Sequence, residues 1–461
     1  MRCILSSIVL GTCLSCAVAQ PEGGARDYPG ELRALVAANQ SPGANGYDNL
    51  RRLAPRLEAL EQGLINQECY LEQAWVPVNA DHETLQQREQ CLESVRAALA
   101  SARAAGLFDE FATLAAASNL LPPMLGEWTP DEEFDFLRPT RRFARVNTAR
   151  FVLALEGQDR DDAVAAVRET LWLSRRVAAL GSPESLSSGG ATDLLVLQAI
   201  REQIIRGAVD AETAAAILSV LTDAPPTPRA MFVYDCERLR RRHDFALLFN
   251  GKGELIAERL RLLSINQFDR TGLDPNAKGD ATLPGLEQLL RWDDEFSKSF
   301  PAMASALPRE RSNTERRANG NWRMSSASTP QNEVRFDVFD LIYSTAEPIA
   351  DLACRLTLED LGTKIMLAIE VYRDRHGRPP TGLADLAPEI LPDLPPDPYT
   401  GKALHYRPDP DAALGYVLYS AGYDTLDDNA RPWRESDQAS QSLRVRGMGS
   451  DYLFTPATDS D

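Results

Sequence analysis

Hydrophobic positions in this chain recur mostly at helical spacing. In "QDRDDAVAAVRETLWLSRRVAALG" (158–181), Val164, Val167, Leu171 and Ala178 fall on one stripe. Acids crowd its first turn, arginines its second half, and Gly181 follows as a stop, the order that a helix dipole favours. "ATDLLVLQAIREQIIRG" (191–207) repeats the stripe with Leu197, Ile200 and Ile204. Asp210 then stands as an N-cap before "AETAAAILSVLTDA", which ends against Pro225-Pro226. Three helices joined by short connections predict antiparallel packing, in a bundle or an irregular array of helix pairs. No fixed period of about 34 or 40 residues runs through them, so a regular solenoid is not expected. An earlier helical block spans roughly 47–120, interrupted near "VPVNADHET".

The pattern changes towards the C-terminus. "LEDLGTKIMLAIEVYRDRHG" (358–377) carries Leu361, Ile365, Ile369 and Tyr372 along one face, and Pro379-Pro380 forbids its continuation. Three short runs of aromatic and branched residues follow at 403–407, 415–420 and 451–455, each alternating as a half-buried strand does. The expected architecture is mainly α: an irregular helical bundle or array, then a small α+β module with one helix on a three-stranded antiparallel sheet. The boundaries read as 20–122, 123–350 and 351–461, with a polar, basic linker near 307–332 inside the second region.

Charge narrows the partners. A formal net charge of −18 over 461 residues disfavours nucleic acid, whose phosphates need a surplus of Lys and Arg. It equally disfavours anionic lipid. The first residues, "MRCILSSIVLGTCLSCAVAQ", place Arg2, an apolar run and Ala17-Val18-Ala19 in the order of a cleavable secretory signal. Export to the periplasm or beyond, with cleavage near Ala19, is the expectation. A lipid on Cys13 or Cys16 is the competing one, although neither is preceded by both a small residue and a Leu three positions back. No later stretch is long and apolar enough to span a bilayer.

Beyond Ala19 the cysteines are Cys69, Cys91, Cys236 and Cys354. Four allow three pairings, Cys69–Cys91 being the local one, and buried free thiols are the alternative. The histidines are His82, His243, His376 and His405. "HETLQ" fails as a zinc-peptidase motif because Gln86 stands where the second His belongs. His376 reads as a cap in a helix-ending turn and His405 as a cross-strand partner. "ERLRRRHD" (237–244) concentrates Arg238, Arg240, Arg241 and Arg242, expected to face acidic groups rather than to form an anion site.

Four local features occur in order from Asp351 onward: "AIEVYRDRHGRPP", "LPPDPYTGKALHYR", "YSAGYD" and "SDYLF". Together they resemble the globular head of a type II secretion major pseudopilin. Such heads resemble in turn the ends of large exported bacterial proteins. The long apolar N-terminal helix that polymerises pseudopilins has no counterpart, so pilus assembly is not expected. The resemblance implies calcium in the loop before the last strand, held by Asp424 and Asp451, with Asp427 and Asp428 supplying further oxygens. Calcium takes six to eight oxygens in a flexible cage, which acidic loops at strand ends can offer. A plain solvated acidic loop is the other reading, and Glu435 and Asp437 fall to it. An EF-hand does not fit, because Leu426 and Asn429 stand where that loop needs an acidic ligand and a glycine. No nucleophile elbow, phosphate loop or dinucleotide fingerprint is present. The expectation is an exported, non-catalytic interaction or structural protein with a protein partner in the envelope. An envelope hydrolase with its site in the helical region is the alternative.

Overall fold

A computed structural model describes residues 26–75, 82–123, 135–247, 249–250, 256, 285–298, 330–422, 425–430 and 451–455, with the side chains of the long C-terminal helix described from 348. The signal segment, most of the polar stretch 307–332, Asp424, Glu435 and Asp437 lie outside the described residues. The fold is mainly α, closed by a small three-stranded antiparallel sheet.

The helices are α1 (Tyr28–Ala38), α2 (Tyr47–Ile65), α3 (His82–Ala104), α4 (Leu107–Ala115), α5 (Leu137–Glu156), α6 (Arg160–Ala178), α7 (Pro183–Ile205), α8 (Ala211–Asp223), α9 (Ala230–Leu247), α10 (Leu286–Ser297) and α11 (Pro330–His376). Local chemistry explains the best-formed starts. The Asp159 carboxylate accepts from the Asp162 amide at 3.1 Å to begin α6, and Asp210 accepts from Thr213 at 2.7 Å to begin α8. Helix α7 begins at Pro183, eight residues before the apolar stripe predicts. Ser182 and Ser185 cap each other reciprocally there, and Pro183 occupies the first turn. Gly189 and Gly190, residues of poor helix propensity, serve here as packing positions. A methyl at Gly189 would stand 2.3 Å from the Ser174 carbonyl oxygen, so only glycine lets α7 lie this close on α6.

The α5–α6 hairpin divides two apolar cores. Its connected end, through Phe151, Val152, Val164, Val167 and Leu171, packs with α7, α8 and α11. Its open end, through Phe143, Val146, Leu173 and Val177, packs with α1 to α4. The predicted stripes of α6, α7 and α11 are buried throughout, from Val164 to Tyr372. Each such side chain contributes about 1.5–3 kcal/mol by leaving water. Helix α11 runs through Asp351 without a break, and its second half lies on α7 and α8.

After α11 the chain forms strands β1 (His405–Pro408), β2 (Tyr416–Ser420) and β3 (Tyr452–Leu453), with β2 central. His405 pairs with Tyr419, and Tyr419 with Leu453. Leu404, Tyr416, Leu418 and Phe454 enter the same core as α6 to α8, so sheet and helices share one interior. Cys69 and Cys91 form a disulfide, whereas Cys236 and Cys354 are buried free thiols. No helix among the described residues is long and apolar enough to cross a membrane.

Candidate functional site

The candidate site is the loop that leaves β2. Strand β2 is buried along its length, so its end is firmly placed. The Ser420 hydroxyl donates to the Asp397 carboxylate at 2.6 Å and accepts from the Gly422 amide at 2.9 Å. Asp397 is fully buried, and its other oxygen accepts from the Tyr399 amide at 2.8 Å. Its backbone closes the turn with Gly401 and Lys402. Asp397 thus fixes the "DPYTG" turn and the start of the acidic loop together. The sequence signal for it is an Asp set between two prolines ahead of Tyr399 and Gly401, a turn former rather than a surface acid.

Residues 425–430 curl tightly. Thr425, Asn429 and Ala430 all have positive φ, near 60–66°, a conformation that Asn tolerates but a β-branched residue rarely adopts. Asp451, at the start of β3, holds the curl. Its Oδ1 accepts from the Asp428 amide at 3.3 Å and its Oδ2 from the Ala430 amide at 2.7 Å. Asp427 turns the other way. Its Oδ1 accepts from the Tyr419 hydroxyl at 3.0 Å and the Asn429 amide at 2.9 Å, and its Oδ2 lies 3.2 Å from His405 Nδ1. His405 and Tyr419 stack across the strands with ring centres 4.8 Å apart, the cross-strand partnership expected of His405.

Burial pushes the Asp451 carboxyl above the ordinary carboxylate range. The two amide bonds oppose this, and the charges of Asp427 and Asp428 add to it. Asp427 experiences burial too, but the Asn429 amide, the Tyr419 hydroxyl and His405 outweigh it and hold its carboxyl below the usual value. The Tyr419 hydroxyl is pushed up to about 12 by burial and by its bond to Asp427. Asp427, Asp428 and Asp451 therefore share one loop, but their oxygens do not converge on a point. Among the described residues no group of three or more His, Cys, Asp or Glu is arranged to hold a metal ion.

The strand that carries Asp451 is tied to the helices. Tyr452 donates its hydroxyl to Glu359 on α11, and the ring of Phe454 lies against Gly362. Arg201 of α7 pairs with Glu359 at 2.6 Å and donates to Thr363 at 2.9 Å. On the neighbouring residue, Asp360 takes Arg175 of α6 at 2.5 Å. Arg175 also meets Asp193 at 3.4 Å and donates to the Pro225 carbonyl at 3.0 Å. Between α5 and α6, Arg150 bridges Asp162 at 2.7 Å and Glu169 at 2.8 Å. Residues this polar on packed helix faces escape a reading that places charge at the surface.

The remaining histidines are dispersed. His82 starts α3, exposed, and His376 ends α11, stacked on Tyr372 with ring centres 4.1 Å apart. His243 on α9 is pushed down to about 4 by burial. Arg238 and Arg242 meet Asp293 and Asp294, the acidic partners expected for that arginine run.

Comparison with protein-family models, with curated proteins and with solved structures finds no match to this chain.

Proposed function

We propose that the chain is an exported, non-catalytic protein of the cell envelope that acts by binding a protein partner. A pseudopilin-head-like α+β module closes its helical array. The observation that carries this reading is the pairing of interior charge. Arg150 and Arg175 are buried and Arg201 is largely enclosed, and each is matched to carboxylates on another helix. Charged groups used in this way fix elements against one another and are not presented to a substrate. The Cys69–Cys91 disulfide supports an oxidising compartment, in keeping with the signal-like N-terminus. The test is chemical cross-linking of the tagged chain in its own cells, followed by capture from the envelope fraction. One protein retained in fixed ratio is the expected result. Turnover of ester, peptide or glycoside substrates by the purified chain, with no partner captured, would overturn it.

Calcium belongs to the same proposal as a stabiliser of the acidic loop. Asp427, Asp428 and Asp451, with Asp424, would hold it. The support is the gathering of carboxylates in one loop, where burial chiefly and the Asp427 and Asp428 charges in addition push the Asp451 carboxyl up, and a cation would offset that concentration of negative charge. The chain from Gln20 onward is expected to melt several degrees higher in millimolar calcium than in chelator, and Asp427→Asn with Asp451→Asn should abolish the difference. Equal melting in calcium and chelator removes the ion and leaves the binding-protein reading standing.

A further inference from the structure

Helix α9 brings three guanidinium groups, those of Arg238, Arg241 and Arg242, to its contact with α10. Arg238 and Arg242, one turn apart, make the same clamp. Each places Nε on Asp293 Oδ2, at 3.0 and 2.6 Å, and each donates Nη2 to Asp294. Arg240 turns away and donates to the Gly181 carbonyl at 2.9 Å. Asp235 interacts with Arg238, and Glu237 with Arg240 at 3.4 Å.

Arg241 is the exception. Its side chain is 10% exposed, and Nε, Nη1 and Nη2 are all enclosed without a hydrogen-bond acceptor. Asp293 Oδ1 lies 3.5 Å from Nη2, too far for a good hydrogen bond, and the Asp293 charge is already shared with two other arginines. The Tyr234 ring lies 5.2 Å from the guanidinium carbon, a contact that satisfies no N–H. A guanidinium cannot discard its proton, and burying one without acceptors is costly. The comparably buried Arg150 and Arg175 do find acceptors, on Asn147, Asp162 and Glu169 and on Pro225 and Asp360.

We propose that Arg241 anchors an oxyanion site at the α9–α10 contact, which takes a phosphate or carboxylate group. The planar fork of donors matches either group in bidentate fashion. Asp293 and Asp294 are committed to Arg238 and Arg242, and Asp235 lies beside Arg238, so Arg241 is left without the hydrogen-bond acceptors that a bound oxyanion would supply. Such a ligand would bridge α9 to α10 in the region where Arg238 and Arg242 already hold them.

The chain from Gln20 onward tests this by thermal melting in phosphate, acetate and chloride at matched ionic strength, beside Arg241→Met and Arg241→Lys. The wild type should melt several degrees higher in at least one oxyanion than in chloride. Arg241→Met should show no such difference, and Arg241→Lys a reduced one, because an ammonium keeps the charge but loses the fork. A rise in phosphate alone identifies a phosphate group, and a rise in acetate alone a carboxylate. Equal melting in all three salts overturns the site, as does an oxyanion-specific rise that Arg241→Met retains. If Arg241→Met does not fold, calorimetric titration of the wild type with phosphate and with acetate decides. Saturable binding of one anion per chain supports the site, and absence of heat with both overturns it.

Discussion

The Arg201 guanidinium stands 2.6 Å from the Glu359 carboxylate and joins α7 to α11 beneath the last strand. Both side chains are nearly enclosed, and Tyr452 completes the group from β3. Removal of Arg201 leaves the Glu359 charge enclosed with only the Tyr452 hydroxyl and Arg355, 3.9 Å away, to offset it. Arg201→Met and Glu359→Gln are each expected to cost about 3–5 kcal/mol in urea unfolding. The double variant should cost less than their sum. Additive losses would show that the pair is not coupled.

Gly362 owes its identity to Phe454. A methyl built there would lie 2.1 Å from the ring, so one of the two must move. Gly362→Ala should lower stability by about 1–3 kcal/mol, the usual range for overpacking. Phe454→Leu in the same chain should recover part of that loss, measured as the urea midpoint. If the two losses simply add, the ring is not what excludes the methyl.

Glu370 sets a pH dependence of definite sign. Burial pushes its carboxyl above the ordinary range, Arg373 opposes this, and one of its oxygens is enclosed without a partner. A carboxyl raised in the folded state contributes stability that is complete below its unfolded value of roughly 4.3 and is lost as pH rises through the folded value. Glu370→Gln should remove this fall. The variant should gain on the wild type from pH 4 towards pH 7 in a series of urea midpoints. A difference that stays constant with pH would exclude the group.

Reduction of Cys69–Cys91, which are 22 residues apart in sequence, should destabilise the chain by about 3 kcal/mol. The remaining thiols should behave otherwise. Burial pushes the Cys236 thiol up to about 12, and Cys354 is also buried. With the chain begun at Gln20, a maleimide should label neither in the native state and both after unfolding. Prompt native labelling of Cys236 would contradict its burial beside Gly181.

Much of this architecture is legible from residue order. The stripes of α6, α7 and α11 are buried as spaced, and the three strand runs fall within two residues of the observed strands. The arginines at 238 and 242 meet acids as expected. The interior charges are not legible, because nothing in the local pattern around Glu359 and Asp360 distinguishes them from solvated acids on an isolated helix. Their burial comes from α6 and α7, which lie far away in the chain. The start of α7 was hidden for a related reason, since Gly189 and Gly190 are breakers by propensity and become packing positions only once Ser174 and Leu356 lie against them. At the loop, Asp451 accepts from the Asp428 and Ala430 amides while Asp427 turns away from it. Their separate commitments, to Tyr419 and His405 on one side and to backbone amides on the other, depend on a left-handed curl that no residue in "TLDDNA" announces.

The α5–α6 hairpin belongs to both cores, so neither interior can dissolve while the other stays intact. Opening the N-terminal half exposes Phe143 and Leu173, and opening the C-terminal half exposes Phe151 and Leu171, on the same two rods. Loss of either half strips one end of the rods that the other half rests on. The described helices and the sheet should therefore melt in one cooperative step, with the slowest amide exchange in the chain along 143–155 and 163–177.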